Sequence, residues 1–426
     1  MTESAKMKLK GGILYYTLFV IILSSSIIGL ILQSSFYDYS VLVNTIKQDD
    51  LERNVESAIN LYLEGENVFK GHDSISLNLF DDDQEKVLLT KRRWGNYFII
   101  NSASKWKNRS SEKFALIGSD LNYQEPIALF MPDEGRILSL SGNTILKGTC
   151  YLPKKTARIA SIEGQQFIYK DLVLGNLEKS PPRLPNINEK LLSHAYFYLN
   201  AQEIQNDSII NLNSLGSNQI VNSFNNKTIF LFNNTVTNLK DFRFSGNIIV
   251  WSNEPVEIER STSLHDIILF APIITIKSGF EGEFQAYATQ SIKVEGNCKI
   301  KFPSQLCVIQ SETGKYNPSD SLIVGLGKGS LVEGGILINS FGLTSFIKID
   351  KGAKVSGQVY CPGFVELNGE VIGSLYCKTF YLKTARGRYY NHLLNTRIDY
   401  SSLSEYFSGI DLLKDIPQKL VIKWLD

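Results

Sequence analysis

Four histidines, five cysteines and a run of glutamates are the residues that could carry chemistry in this chain. His72, His194, His265 and His392 are scattered and show no metal-ligand spacing. The His265-Asp266 pair invites a catalytic-triad reading, but no G-x-S-x-G nucleophile elbow accompanies it, so it reads as a chance pair. Gly325-Leu-Gly-Lys-Gly-Ser330 resembles a phosphate loop. The Walker pattern needs Ser or Thr directly after the lysine and a helix start beyond it, and neither is indicated, so a turn is expected. Glu254, Glu257, Glu259, Glu281 and Glu283 lie on short strands, and alternation puts Glu257 and Glu259 on one face. Such a pair can do acid–base work on a glycan, although exposed strand carboxylates are the ordinary reading. The cysteines form no C-x-x-C pair and are odd in number, which argues against zinc, a dithiol redox site and a full disulfide framework. No catalytic, cofactor or metal residue is assigned.

The elements around these residues are more legible. A phrase of apolar, any, Gly, polar or small, apolar, any, apolar recurs, clearest in Val355-Ser-Gly-Gln-Val-Tyr-Cys361 and Val371-Ile-Gly-Ser-Leu-Tyr-Cys377. Further copies centre on Gly142, Gly148, Gly246, Gly282, Gly296 and Gly334. Counting the apolar strands Ile267–Phe270 and Leu306–Ile309, one strand-and-turn unit recurs roughly every 14–23 residues between 241 and 384. Short β-branched and aromatic strands at that period predict a β-solenoid, with glycine at tight corners. Period-two alternation points Val355, Gly357, Val359 and Cys361 inward, puts Cys150 and Cys298 in the slot of Val359 and Leu375, and sets Cys361 and Cys377 one rung apart as small core residues.

The N-terminal tenth is different. Lys6, Lys8 and Lys10 precede a stretch from Gly11 to Tyr37 with no charge, and Ile13 to Leu32 supplies about the 20 apolar residues that span a bilayer. Lysines before it, with Asp38, Asp49, Asp50 and Glu52 after it, place the N-terminus in the cytoplasm and the rest outside, periplasmic or extracellular. Ile46, Leu51, Val55, Ala58, Ile59 and Tyr62 then fall on one helical face, so a single helix from Gly12 to Leu63, about 78 Å long, is expected, ended by Gly65 and Gly71.

The expected mainly-β organisation is a leader at 1–10, a transmembrane helix at 11–37 and a helical stalk at 38–70. A small antiparallel β region follows at 71–137, with strands at 75–80, 86–89, 97–100, 114–117 and 127–130. Residues 138–240 hold the first solenoid-like rungs, a stiff Pro-rich linker at 180–185 and an Asn-rich segment. The solenoid occupies 241–384 and a helical or mixed cap 385–426, with Leu420, Ile422 and Trp424 as a last strand. Sequons at Asn206, Asn226 and Asn233 matter only in a glycosylating pathway. Arg92, Arg93, Trp94, Lys105, Trp106, Lys107 and Arg109 interleave charge with aromatics, yet a net charge of +1 gives no field toward nucleic acid, and a solvated hairpin face is expected.

Two resemblances bear on function. The basic leader, the glycine pair and the long helix resemble minor, tip-type type IV pilins and pseudopilins over about the first 60 residues, which implies processing after Gly11 or Gly12. That family usually carries Glu five residues after the cut, where this chain has Tyr16 or Thr17. Residues of about 345–384, through Ile347–Cys361 and Val365–Tyr376, look like the bactofilins, polymer-forming β-solenoids with V-x-G-x-V rungs, which implies a triangular β-helix. Bactofilins are small and mostly on the cytoplasmic side, so polymerisation is not carried over. The expectation is a membrane-anchored, outward-facing structural or adhesive envelope protein, extending to a component of a pilus-like or secretion assembly, with no cofactor. Its partners are the bilayer through residues 13–32, other envelope subunits and surface polysaccharide, with no nucleic acid. Two alternatives are a tethered β-helix enzyme or binding protein for polysaccharide, marked by a cleft of carboxylates and aromatics, and a self-assembling scaffold, marked by an uncapped final rung.

Overall fold

A computed structural model describes residues 12–64, 68–69, 71–79, 86–123, 125–199, 209–311, 316–317 and 319–425. The leader lysines, Gly11, Gly65, Phe80 and Asn206 lie outside this set. Helix α1 runs from Gly12 to Leu63, the span expected from the sequence. Residues 12–42 are exposed along their whole length, and an 18-residue window has a mean hydropathy of 2.1, so the helix is long and apolar enough for a membrane span or a signal sequence. Three of its hydroxyls bond within it: Thr17 donates to Leu14 O, Ser24 to Val20 O and Ser26 to Ile22 O, at 2.8–2.9 Å. That suits a segment with no water to bond. Leu51, Val55, Ala58, Ile59 and Tyr62 are buried, whereas Ile46, at the start of the expected stripe, is half exposed.

By contact the chain forms two units. One comprises Met1–Ala58, Ser76–Leu89 and Ser102–Glu112; the other comprises Ile59–Ile75, Thr90–Asn101 and Lys113–Asp426. The second holds a parallel β-solenoid of about 12 turns. Each full turn lays one strand on each of three faces. In the best-formed turns these are 334–339, 344–349 and 354–356, then 357–361, 364–367 and 370–372. One inward ladder on the first face passes through Ile210, Leu231, Val250, Leu269, Ala286, Leu306, Ile336, Val359, Leu375, Leu129, Cys150 and Leu177. Stacked apolar rungs of this kind form the interior core.

That ladder is out of chain order, which the sequence did not reveal. The turns climb from residue 209 to 399, and the last three come from residues 127–179, stacked on strands 373–377 and 397–399. Ile127–Phe130, expected in the antiparallel region, is therefore the first strand of a late turn. The C-terminal segment keeps the expected last strand, Lys419–Leu425, but the stretch before it differs from the helical alternative for the same reason. It is not helical: Arg388–Tyr390, His392–Leu394 and Arg397–Asp399 join the ninth turn to the tenth, and Ser408–Gly409 and Lys419–Leu425 pair with strand Arg109–Asp120. The final strand, Leu177–Lys179, carries two charges in three residues, an edge that resists further pairing.

The first face is covered on its outer side as well. Trp251, Phe270, Tyr287, Cys307, Leu337, Tyr360, Tyr376, Phe130 and Tyr151 form an outward ladder, with stacked rings 4.8 Å apart for Phe270–Tyr287 and 5.4 Å for Phe130–Tyr151. A second core layers this ladder under Trp94, Tyr97, Ile99, Leu116 and helix α2, Glu189–Leu199. Outward glutamines fasten the layer: Gln285 accepts from Asn96 N (2.8 Å) and donates to Trp94 O (3.0 Å), Gln305 donates to Tyr97 Oη (2.7 Å), and Gln358 accepts from Ile410 N (2.8 Å). The proline stretch is docked, since Pro185 O accepts from Tyr360 Oη at 2.8 Å.

The Asn-rich segment builds the first turns by cross-rung amide bonds. Asn213 donates to Asn233 Oδ1 (3.0 Å), Asn222 to Asn247 O (2.8 Å) and Asn253 to Asn234 Oδ1 (2.8 Å). The Asn233 sequon is thus buried structure.

Asp399 clamps the junction between the ninth and tenth turns. Burial works to raise its carboxyl, and hydrogen bonds from Arg397 (2.6 Å), Ser402 (2.8 Å) and Ser401 (2.8 Å) outweigh it and hold the group at about 2. The folded value lies below the ordinary 3.8, so this contribution is full at neutral pH and is lost as pH falls through about 4 toward about 2. Asp399→Asn is expected to lower stability at neutral pH by about 1–2 kcal/mol and to flatten the acid limb, read as the urea midpoint against pH; an unchanged acid limb would count against the clamp.

Candidate functional site

The corner glycines come first, because they set where side chains can gather. Gly148, Gly246, Gly334, Gly357 and Gly373 sit at the corner between the third and first faces, with φ between 91° and 142°. Gly142 and Gly296 lie at the corner between the second and third faces, and Gly282 lies in an inward slot aligned with Ile300, where the Phe280 ring fills its space. One phrase thus serves three positions. Cys298 is likewise not in the slot of Val359. It is buried at the second corner, where its thiol donates to Lys277 O at 3.2 Å. Cys150 does occupy that slot, and Cys361 and Cys377 are register partners in the core, both free. Burial pushes the thiols of Cys150, Cys307 and Cys361 up to about 12, which leaves them protonated and unreactive.

The candidate carboxylates do not converge on open space. Glu257 pairs with Lys277 (3.0 Å), Glu281 with Lys301 (2.5 Å) and Glu283 with Lys423, and Glu259 accepts from Asn238 (3.0 Å). Gly325 and Leu326 end strand Ser321–Leu326, and Gly327–Ser330 is a solenoid turn leading into strand Leu331–Asn339, with Ser330 Oγ donating to Glu295 O. His392 packs on Tyr389 and its Nδ1 lies 2.7 Å from Tyr390 O, while His265 pairs in register with Glu283. Among the described residues no three metal-ligating groups cluster. The interleaved basic and aromatic residues are largely paired with each other. Arg93 lies 4.6 Å from the Phe98 ring, Lys107 lies 4.3 Å from Trp106, and Trp94 is buried.

What the solenoid does expose together is on the outer side of its second face, in the turns built from 344–349, 364–367 and 379–382. Phe346, Phe364, Tyr381 and Tyr390 form one partly exposed ring cluster with centroids 5.7–6.1 Å apart. The same turns carry, at the corner between the second and third faces, a groove of about 730 Å³ lined by Lys351, Lys354, Lys383, Asn368, Asn395 and Gln165, among others. The groove's acids are partly spoken for: Asp350 pairs with Lys348 (2.8 Å) and Glu163 with Arg386 (3.3 Å). Lys351, Lys354 and Lys383 make no ion pair among the described residues, so they give the groove a cationic rim. Rings beside amides and free ammonium groups can stack on sugar rings and hold acidic substituents. The sequence reading missed this cluster. Its signal was the outward phase of Phe346-Ile-Lys348 and Tyr381-Leu-Lys383, read only for the inward residues between.

Fold and surface together define a parallel β-solenoid protein fronted by a long apolar helix. No protein-family profile, curated protein or solved structure matches the chain.

Proposed function

We propose that this is a membrane-anchored, extracytoplasmic structural or adhesive protein of the cell envelope, with the solenoid as a display scaffold. The observation that supports it most is helix α1, whose apolar residues 12–42 are exposed throughout. Each fully exposed large aliphatic side chain left in water would forfeit about 1.5–3 kcal/mol, and a bilayer supplies the missing burial. The full chain is expected to stay in the membrane pellet through alkaline carbonate extraction, and a chain lacking residues 1–37 to become soluble. Release of the full chain by carbonate would sink the anchor. A place in a pilus-like or secretion assembly is the finer reading. Mass spectrometry of a mature N-terminus starting at Gly12 or Ile13 supports it, and an intact Met1 or Thr2 removes it.

The ring cluster and lysine rim favour a second reading, adhesion to an acidic surface polysaccharide. Lys351→Ala, Lys354→Ala and Lys383→Ala together are expected to weaken binding to a polyuronate about 10-fold or more at low salt, read by glycan array or sedimentation, and Tyr390→Ala to weaken it independently. Equal binding by wild type and triple variant would count against this face.

A further inference from the structure

Three ionisable side chains meet at one corner of the solenoid in a geometry that the fold itself does not require. Asp266 is a corner residue with φ of 60°, where the preceding turn has Gly246 with φ of 91°. Glycine takes a left-handed corner with little strain, and aspartate is among the few other residues that adopt it. The ladder skips a residue between His265 and Ile267, which sets Asp266 off the strand, as bulges do where they re-aim a side chain. Its Oδ1 lies 2.5 Å from Lys423 Nζ on strand Lys419–Leu425. Glu283, on the next turn, contacts the same ammonium. Beside Asp266 and Glu283, Trp94, Leu116, Ile267, Phe284, Gln285 and Pro303 line a cavity of about 10 Å³, room for one water at most, while Lys423 is partly exposed. Trp94 Nε1 donates to Asp266 O at 2.9 Å and fixes the corner.

Lys423 thus bridges two carboxyl groups, and closing an amide in such a cluster takes one ammonium, one carboxylic acid and one carboxylate. Those are the components of an amide plus a proton acceptor. We propose that Lys423 and Asp266 close an intramolecular isopeptide bond, with Glu283 as the acid–base residue. Lys423 passes one proton to the Glu283 carboxylate. The freed Nζ lone pair then attacks Cγ of the protonated Asp266, and the C–N bond forms. Glu283 hands a proton to the departing hydroxyl as the C–O bond breaks, and takes a proton from the nitrogen. One amide and one water result, Glu283 ends protonated, and nothing is oxidised or reduced. Burial pushes the Asp266 carboxyl up, against the Lys423 bond that lowers it, and so toward the neutral form that the attack needs. Burial also works to lower the Lys423 ammonium, but its bonds to Asp266 and Glu283 outweigh this and raise it, so the free amine arises only by transfer inside the cluster. The bond would lock the C-terminal strand to the solenoid without using any of the five buried, free cysteines.

The test is a tryptic digest of the purified full chain, read by tandem mass spectrometry. The expected result is a branched peptide carrying Asp266 and Lys423, lighter than its two arms by one water, with no cleavage after Lys423. Asp266→Asn is expected to close as well, losing ammonia instead. Glu283→Gln is expected to leave two linear peptides while the thermal melt stays cooperative. Linear peptides with cleavage at Lys423 in the wild type would overturn the proposal, and a branch persisting in Glu283→Gln would overturn the role of Glu283.

Discussion

Gly357→Ala is expected to destabilise the solenoid by about 2–5 kcal/mol, the sum of a left-handed backbone penalty and displaced packing. Gly334, Gly357 and Gly373 are register partners on successive turns. Gly357 has φ of 142°, and a Cβ there would fall inside 3.0 Å of the Gly334 carbonyl oxygen and of the Phe407 ring. The first neighbour is backbone in the adjacent rung, so it cannot rotate away. Gly325→Ala is the control. It lies in a strand with open space around its Cβ position and no left-handed φ, and a change within about 0.5 kcal/mol is expected. Urea unfolding of the two variants measures the difference. Equal midpoints would mean that the glycine column is not the corner the stacking requires.

Lys419→Met is the second large effect, expected at about 3–5 kcal/mol. Lys419 Nζ donates to both Asp411 oxygens (2.9 and 2.8 Å) and to Ser119 Oγ (3.0 Å), and both charged side chains are nearly buried. Removing the cation leaves the Asp411 carboxylate buried with only Ser119 Oγ (2.6 Å) and Ile416 N (2.9 Å) as donors. The pair Lys419→Met with Asp411→Leu is expected to recover most of the loss, because an apolar pair has no charge to desolvate. A double-mutant cycle in urea reads the coupling. If the double variant were as unstable as the single one, packing of the strand and not the ion pair would be the cause.

Much of this architecture was legible because its signals are local. The span from Gly12 to Leu63 follows from an uncharged run joined to a helical stripe, and the rungs from 331 to 377 follow from alternation around Gly334, Gly357 and Gly373. What failed was anything set by distant pairing. Ile127–Phe130 alternates like any short strand, and only stacking on Leu375 and Tyr376 reveals it as a late turn of the solenoid. Leu393 to Leu413 has apolar spacing compatible with a helix, yet Leu393 and Ile398 are drawn into strands by Leu140 and Leu146 on the neighbouring turn. The outward aromatics of the first face looked exposed by period alone, because nothing in the phrase says that Trp94, Tyr97 and Leu116 return to cover them. The corner cluster of Asp266, Glu283 and Lys423 was invisible for the same reason: His265-Asp266 drew attention to the histidine, and the partner that matters lies 157 residues on (423 less 266).

The claim that the body faces away from the cytoplasm can be tested with a single added cysteine. All five native cysteines are buried, so they contribute no background. Lys351 is exposed on the second-corner groove, and Lys351→Cys places one accessible thiol there. Cells are treated with a membrane-impermeant maleimide under conditions that admit the reagent to the inner bilayer but leave that bilayer sealed. Full labelling of residue 351 before lysis is the expected result. Labelling only after the bilayer is broken would place the solenoid in the cytoplasm and contradict the account.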